Sequence, residues 1–263
     1  MSDRDRTAIY RACTRFLPGS PPQTIREVFT ELAAYAPAEA VPDMYGSGAV
    51  IEDFEAQIAE LLGKPAAVFL PSGTMAQQIA LRIWAERSGR CTVAFHPTCH
   101  LDLHEQDAYR ILHNLRSVRA GNQFRLLTLD DLQAVKEPLV ALLIELPQRH
   151  IGGALPTWEE LSAIADWARE RRIVLHMDGA RLWECGPFYA RPYAEIAALF
   201  DSVYVSFYKT LGGITGAALA GPEDVIAEAK VWQRRHGGNL IRLYPYVLSA
   251  QYGLEHRLPR MAA

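Results

Sequence analysis

The chain has 263 residues, 49% of them hydrophobic and 22% charged, which is ordinary for a soluble globular protein with one sizeable buried core. That length corresponds to one large domain, or to one domain plus a fragment. A net charge of −3 leaves no cationic excess for a nucleic acid or an anionic membrane, and no apolar run approaches a membrane span. The opening residues MSDRDRTAIY are charged and lack the apolar segment of a secretory signal. Cys13, Cys91, Cys99 and Cys185 show no CxxC spacing and suit free thiols in a reducing cytoplasm, so a cytoplasmic protein is expected.

Residues 1–40 read as a helical arm: a helix, the turn PGSPP, and a second helix near Ile25–Tyr35. The loop APAEAVPDMYGSG follows. From Ala49 the pattern is helical, with Ile51, Phe54, Ile58 and Leu61 on one face and Gly63 placed to end it. AAVFLPSG is a short strand and turn. TMAQQIALRIWAERSG is a helix that opens on Thr74 and stops at Gly89. CTVAFHP is a strand. PLVALLIELP is too uniformly apolar for an exposed sheet and should lie inside a parallel one. TWEELSAIADWARERR carries a capping box in Thr157 and Glu160, and an apolar stripe of Trp158, Leu161, Ala165 and Ala168. The strands IVLHMDG, DSVYVSFYK and GAALAG follow. Strands alternating with helices from about residue 64 to 221 predict an α/β domain, its mainly parallel sheet sandwiched by helices.

In such sheets ligands bind at the carboxyl ends of the strands. The polar residues that fall there are Ser72 to Thr74, His96 to His104, Glu145, Asp178 to Arg181, and Ser206 to Lys209. Ser72, Gly73 and Thr74, between a strand and a helix start, offer free N–H groups, a helix dipole and two hydroxyls to a phosphate. The same residues also make a plain N-cap. Lys209 closes a buried strand and is followed by Gly212, Gly213 and Gly216. A lysine there is costly unless paired, neutralised or bonded, and a Schiff base with a carbonyl cofactor is one such use; snorkelling to solvent is the other. Asp178 suits the pyridinium nitrogen of a pyridoxal phosphate (PLP) ring, or a helix N-cap. Arg181 offers a planar fork to an amino-acid carboxylate, or pairs internally with Asp178 or Glu184. Together these form a phosphate cradle, a ring partner, an amine and a carboxylate clamp, which is what a PLP enzyme acting on an amino acid requires. No GxGxxG or Walker motif supports a dinucleotide or nucleoside triphosphate.

The segment HPTCHLDLHE also raises a zinc site, since His96, Cys99, His100, Asp102, His104 and Glu105 crowd into ten positions. No further ligand pair appears elsewhere, and Leu101 stands where a zincin motif has glutamate, so no metal is expected. His104 and Glu105 stay candidates for handling a substrate hydroxyl proton.

The motifs YGSGAVIEDFEAQIAELLGKPAAVFLPSGTMA, HLDLHE, ELPQRHIGG, HMDGARLW and SFYKTLGG, between about Tyr45 and Arg242, resemble the threonine aldolase/aromatic amino acid beta-eliminating lyase family of PLP enzymes. The resemblance implies a PLP-dependent transferase-like fold (fold type I), here in residues 41–225. Residues 226–263 then form a connecting helix and the start of a small C-terminal domain that is largely missing. It implies that Gly73 and Thr74 bind the phosphate, with Ser72 and Ser206 in the same cofactor-binding set. His100 stacks on the ring, Asp178 meets its nitrogen, Arg181 grips the substrate carboxylate and Lys209 forms the internal aldimine. Arg235 and Arg242 reach the phosphate region, of the neighbouring subunit in a homodimer or homotetramer. The implied reaction is cleavage of threonine or allo-threonine to glycine and acetaldehyde, with Lys209, His100, Asp178 and His104 as the catalytic set. The alternatives are β-elimination, or PLP binding without turnover.

Departures from the family pattern are equally concrete. Where members carry Asn-Thr-His after the strand glutamate, Glu145 is followed by Leu146, Pro147 and Gln148. The usual serine-lysine-glycine becomes Phe207-Tyr208-Lys209-Thr210, and RACTRFLPG stands in place of an Arg-Ser-Asp-Thr run.

Overall fold

The computed structural model describes residues 3–14 and 23–261. Seven strands form one sheet: β1 (Ala66–Leu70), β2 (Thr92–Phe95), β3 (Arg116–Arg119), β4 (Leu139–Glu145), β5 (Val174–Gly179), β6 (Ser202–Ser206) and β7 (Ala217–Gly221). Their order across the sheet is β1-β7-β6-β5-β4-β2-β3. All neighbours pair in parallel except β7, which runs antiparallel to both β6 and β1. One reversed strand therefore sits inside the sheet, and β1 points the same way as the other five.

The interior strands are nearly all apolar because helices cover both faces. β4 is buried over almost its whole length, as are β6 and β7. On one face the helices Ala49–Leu61 and Trp158–Glu170 close a core in which Phe54, Phe69, Trp183 and Phe207 meet. The Phe207 ring lies 5.2 Å from Phe54 and is stacked at 6.1 Å on Phe69 and 6.3 Å on Trp183. On the other face the helices Gly73–Ser88 and Glu223–Arg235 pack against each other, and Ile79, Ile83, Leu219 and Ile226 share a cluster there.

Local signals explain most element ends. Thr157 accepts the N–H of Glu160, and the Glu160 carboxylate accepts the N–H of Thr157, so the expected capping box is formed. Thr24 and Glu27 make a second one ahead of Ile25–Tyr35. Gly89 takes the left-handed conformation that ends Gly73–Ser88. At Ala49–Leu61 the apolar face differs slightly from expectation. Leu61 is half-buried and Leu62 is fully buried, because the helix ends there and Gly63, at φ +60°, turns the chain. The turn PGSPP lies outside the described residues. From residue 223 onward the chain forms two helices, Glu223–Arg235 and Tyr244–His256, separated by a turn at Gly237. Tyr244–His256 packs on Ala49–Leu61 and on Ile25–Tyr35. Among the described residues no helix is long and apolar enough to cross a membrane.

Register aligns the chemistry. Across neighbouring strands Glu145 of β4 sits opposite Asp178 of β5, and Asp178 opposite Tyr204 of β6. Three polar side chains thus lie abreast at the carboxyl edge of the sheet.

Candidate active site

A pocket opens at that edge, lined by Thr74, His100, Glu105, Glu145, Asp178, Ala180, Arg181, Tyr204, Tyr208 and Lys209. Seven residues singled out from the sequence, Thr74, His100, Glu105, Glu145, Asp178, Arg181 and Lys209, converge here from five separate segments. Ser72 and Gly73 do not line the pocket; they begin the helix Gly73–Ser88, whose Thr74 does. The Ser72 hydroxyl accepts the N–H of Met75 at 3.2 Å, so it caps the helix. The amides of Gly73 and Thr74 have no partner within the helix and point the positive end of its dipole at the pocket. Gly73 is required by close approach: a Cβ there would lie 1.9 Å from the Tyr204 hydroxyl.

Asp178 is almost wholly buried and has no ion-pair partner among the described residues. It accepts the side-chain N–H of Gln77 at 2.5 Å and the backbone N–H of Ala180 at 3.1 Å. Burial pushes its carboxyl pKa up. Glu145 beside it is raised to about 7, first by burial and then by the Asp178 charge. It accepts the N–H of Arg149 at 3.3 Å and the amide of Gln148 at 3.2 Å. Two adjacent buried carboxylates without a cation are unfavourable unless something positive is bound between the strand ends. Lys209 faces them with its amine pKa lowered by burial and then by Arg181. Arg181 is half-buried, and its nearest carboxylate is Glu184 at 3.8 Å, which leaves most of its fork free. Ser206 ends β6 with a buried hydroxyl that makes no hydrogen bond within normal distance among the described residues.

The histidine-rich segment separates into distinct roles. His100 Nδ1 lies 3.1 Å from Glu105, whose other oxygen accepts the Gln78 amide at 3.1 Å. Glu105 is thereby held to orient the His100 ring, whose Nε2 makes no hydrogen bond among the described residues. His104 is exposed and does not line the pocket. Its ring lies 5.0 Å from His100, and its Nε2 is 2.7 Å from His150 Nε2. Partial burial, followed by His100 and His150, pushes the His104 pKa down. His96 turns away, bonding Thr98 and the carbonyls of Asn122 and Arg125. Asp102 accepts Arg119 and Tyr109 instead.

Arg235 and Arg242 do not line this pocket. Arg235 lies 4.5 Å over the Trp232 ring, and Arg242 donates to the carbonyls of Asp43 and Ile241. Sequence reading missed Gln77, Gln78, Tyr204 and Tyr208. The signal for the two glutamines was present: adjacent polar residues inside a helix otherwise built to pack on a sheet. Tyr204 carried none, because an apolar strand accepts tyrosine anywhere.

The beta-eliminating lyase family model matches residues 29–263. The chain belongs to the beta-eliminating lyase family. Two solved structures of similar proteins carry the same fold at a TM-score of 0.93 each. One is a Listeria monocytogenes EGD-E protein assigned as an L-allo-threonine aldolase, 53% identical, the match covering 97% of this chain and 71% of that one. The other, from Exiguobacterium sp. 255-15 and assigned as an aromatic amino acid beta-eliminating lyase/threonine aldolase, is 48% identical over 97% of this chain and 72% of that one. The low specificity L-threonine aldolase of Escherichia coli K12 is 29% identical, over 88% of this chain and 70% of its own length. The Penicillium aethiopicum aldolase vrtJ is 32% identical over 80% of this chain. This beta-eliminating lyase chain spans little more than half, 55%, of that aldolase's length.

Beta-eliminating lyases of this type depend on PLP, and the pocket fits that group on its own chemistry. Among the described residues neither carboxylate of the buried pair has an ion-pair partner, and a protonated ring nitrogen would supply one. Among the described residues the Ser206 hydroxyl makes no hydrogen bond within normal distance, and the start of Gly73–Ser88, whose first amides have no partner within the helix, faces the cavity.

Proposed function

We propose that this chain binds PLP and cleaves a β-hydroxy-α-amino acid, threonine or allo-threonine, to glycine and acetaldehyde. The observation that carries this reading is the placement of Asp178, Arg181 and Lys209 around one pocket at the carboxyl ends of β5 and β6. In this reading Gly73 and Thr74 hold the phosphate, with Ser72 and Ser206 beside them, and His100 covers the ring face. Lys209 holds the cofactor through its amine, which burial and Arg181 keep more readily deprotonated than a surface lysine. When bound, the cofactor supplies an electron sink for the bond broken at Cα.

The protein's own groups do the rest. Asp178 keeps a proton on the ring nitrogen. Arg181 would grip the substrate carboxylate and so fix the orientation of the amino acid in the pocket. A histidine takes the β-hydroxyl proton. His104, with a lowered pKa, and His100, with Nε2 unbonded among the described residues, are both suited to it. Tyr208 lines the pocket beside the Lys209 amine. Residues 41–225 form the cofactor-binding domain, and the helix Glu223–Arg235 packs on its Gly73–Ser88 helix and β1. Arg235 and Arg242 serve the phosphate of a neighbouring copy in a homodimer or homotetramer. Four free cysteines, two of them buried, suit a reducing cytoplasm.

The test is direct. Purified protein reconstituted with PLP should gain a visible absorbance band that Lys209→Ala lacks, and should release acetaldehyde and glycine from threonine or allo-threonine. Keto acid and ammonia would assign β-elimination instead, and a colourless wild-type protein would sink the cofactor assignment.

A further inference from the structure

Behind Asp178 lies a line of buried polar side chains to which the proposed reaction assigns no role. Trp84 Nε1 donates to the Ser202 hydroxyl at 3.0 Å. The Ser202 oxygen lies 2.8 Å from His176 Nδ1, and His176 Nε2 lies 3.1 Å from the Gln77 side-chain oxygen. The Gln77 amide nitrogen then donates to Asp178 at 2.5 Å. Gln77, His176, Ser202 and Asp178 are each at most 1% exposed, so none of these links is shared with solvent.

Only two polarities are open to such a line. In the first, the serine hydroxyl donates to His176 Nδ1, Nε2–H donates to the Gln77 oxygen, and the Gln77 amide donates to an ionised Asp178. In the second, His176 carries its proton on Nδ1 and Gln77 is turned over, so its oxygen faces Asp178 and demands a protonated carboxyl. That arrangement strands the Ser202 hydroxyl hydrogen, whose oxygen would accept from both Trp84 and His176, and among the described residues that hydroxyl makes no other hydrogen bond. A buried donor without an acceptor costs more than a made bond returns. The first polarity satisfies every group.

We propose that Trp84, Ser202, His176 and Gln77 form a one-way hydrogen-bond relay that holds Asp178 as an ionised acceptor aimed at the ring nitrogen of the cofactor. The proposal rests on the PLP reading above. The relay answers a specific difficulty. Asp178 is buried with Glu105 nearby, and both effects favour its neutral form. A neutral Asp178 cannot keep the ring nitrogen protonated. His176 can fill the middle position because burial holds it uncharged, with its pKa pushed down to about 3. Gln77 is thus a positioning residue acting through Asp178, and His176 its tautomeric lock.

Nitrogen-15 NMR of histidine-labelled protein tests the relay without the cofactor, with His176 assigned by its loss in His176→Asn. The expected signal is a neutral ring protonated on Nε2, unchanged across the stable pH range. An Nδ1–H tautomer or a charged ring overturns the relay. The second measurement uses PLP labelled at the ring nitrogen. Wild type should show a protonated ring, whereas Gln77→Leu, folded by its thermal melt, should lose that signal and bind PLP about tenfold to a hundredfold more weakly. Wild-type affinity and a protonated ring in Gln77→Leu overturn the positioning role. If the wild-type chain takes up no PLP, the cofactor reading fails, and the tautomer of the cofactor-free protein still decides the relay.

Discussion

Replacing Glu145 by glutamine should make the cofactor-free protein more stable at pH 8 and leave it nearly unchanged at about pH 5. The Glu145 carboxyl titrates near 4.5 without perturbation and near 7 in the fold, raised by burial and by Asp178 opposite it in the sheet. Between those values the folded protein binds more protons than the unfolded chain, so this group's contribution to stability falls as pH rises. It is full below the unfolded value and gone above about pH 7. A shift of that size corresponds to about 3 kcal/mol of destabilisation once both states are ionised. Glutamine removes that penalty. It also turns one acceptor oxygen into a donor against the Gln148 amide, at 3.2 Å in the wild type, which costs about 1 kcal/mol. The net gain is about 2 kcal/mol at pH 8. Near pH 5 wild-type Glu145 is neutral in the fold, the penalty is small, and the lost bond offsets it. Urea denaturation of both proteins at the two pH values, with m-values compared, measures the difference. A stability difference that does not change between pH 5 and pH 8 would refute the reasoning, since any purely steric effect is blind to pH.

Two further outcomes follow from the site. Arg181→Lys replaces a planar fork by a point charge, so KM for the amino acid should rise about tenfold or more, with kcat changed less; an unchanged KM would remove Arg181 from the substrate. Gly73→Ala places a Cβ 1.9 Å from the Tyr204 hydroxyl and 2.4 Å from its ring carbon Cζ, so the protein should lose about 1–3 kcal/mol in urea melts. Tyr204→Phe in that background should recover only part of the loss, because the ring carbon is also too close, and full wild-type stability of Gly73→Ala alone would contradict the close approach.

Much of the molecule is written locally. The helices Ile25–Tyr35, Ala49–Leu61, Gly73–Ser88 and Trp158–Glu170 are visible in the 3.6-residue recurrence of apolar side chains and in their caps, because those signals depend on neighbours within four residues. The apolar runs of β4 and β5 predict burial in a parallel sheet, and their polar ends mark the carboxyl edge where Glu145 and Asp178 sit. The edge strand β3 escaped notice because Arg-Ser-Val-Arg has one apolar residue, and an edge needs no more. The short helices His100–Leu103 and Ala108–His113 are under two turns and leave no period to read.

By itself the sequence marked the candidates for the chemistry: a lysine, an aspartate and an arginine placed where strands stop are recognisable from type and position alone. What only the tertiary structure decided is which of them meet, and through what. AALAG is equally apolar in either direction, and its antiparallel run as β7 follows from its pairing with both β6 and β1. Gln77 reaches Asp178 across 101 positions of chain, and His104 meets His150 across 46. Tyr204 settles the need for glycine at position 73 from the far side of a strand–helix contact. Periodicity reports how much of a residue is covered, not by what. The partner of a buried polar group is set by how the helix and sheet layers pack, and that information is distributed over the whole fold.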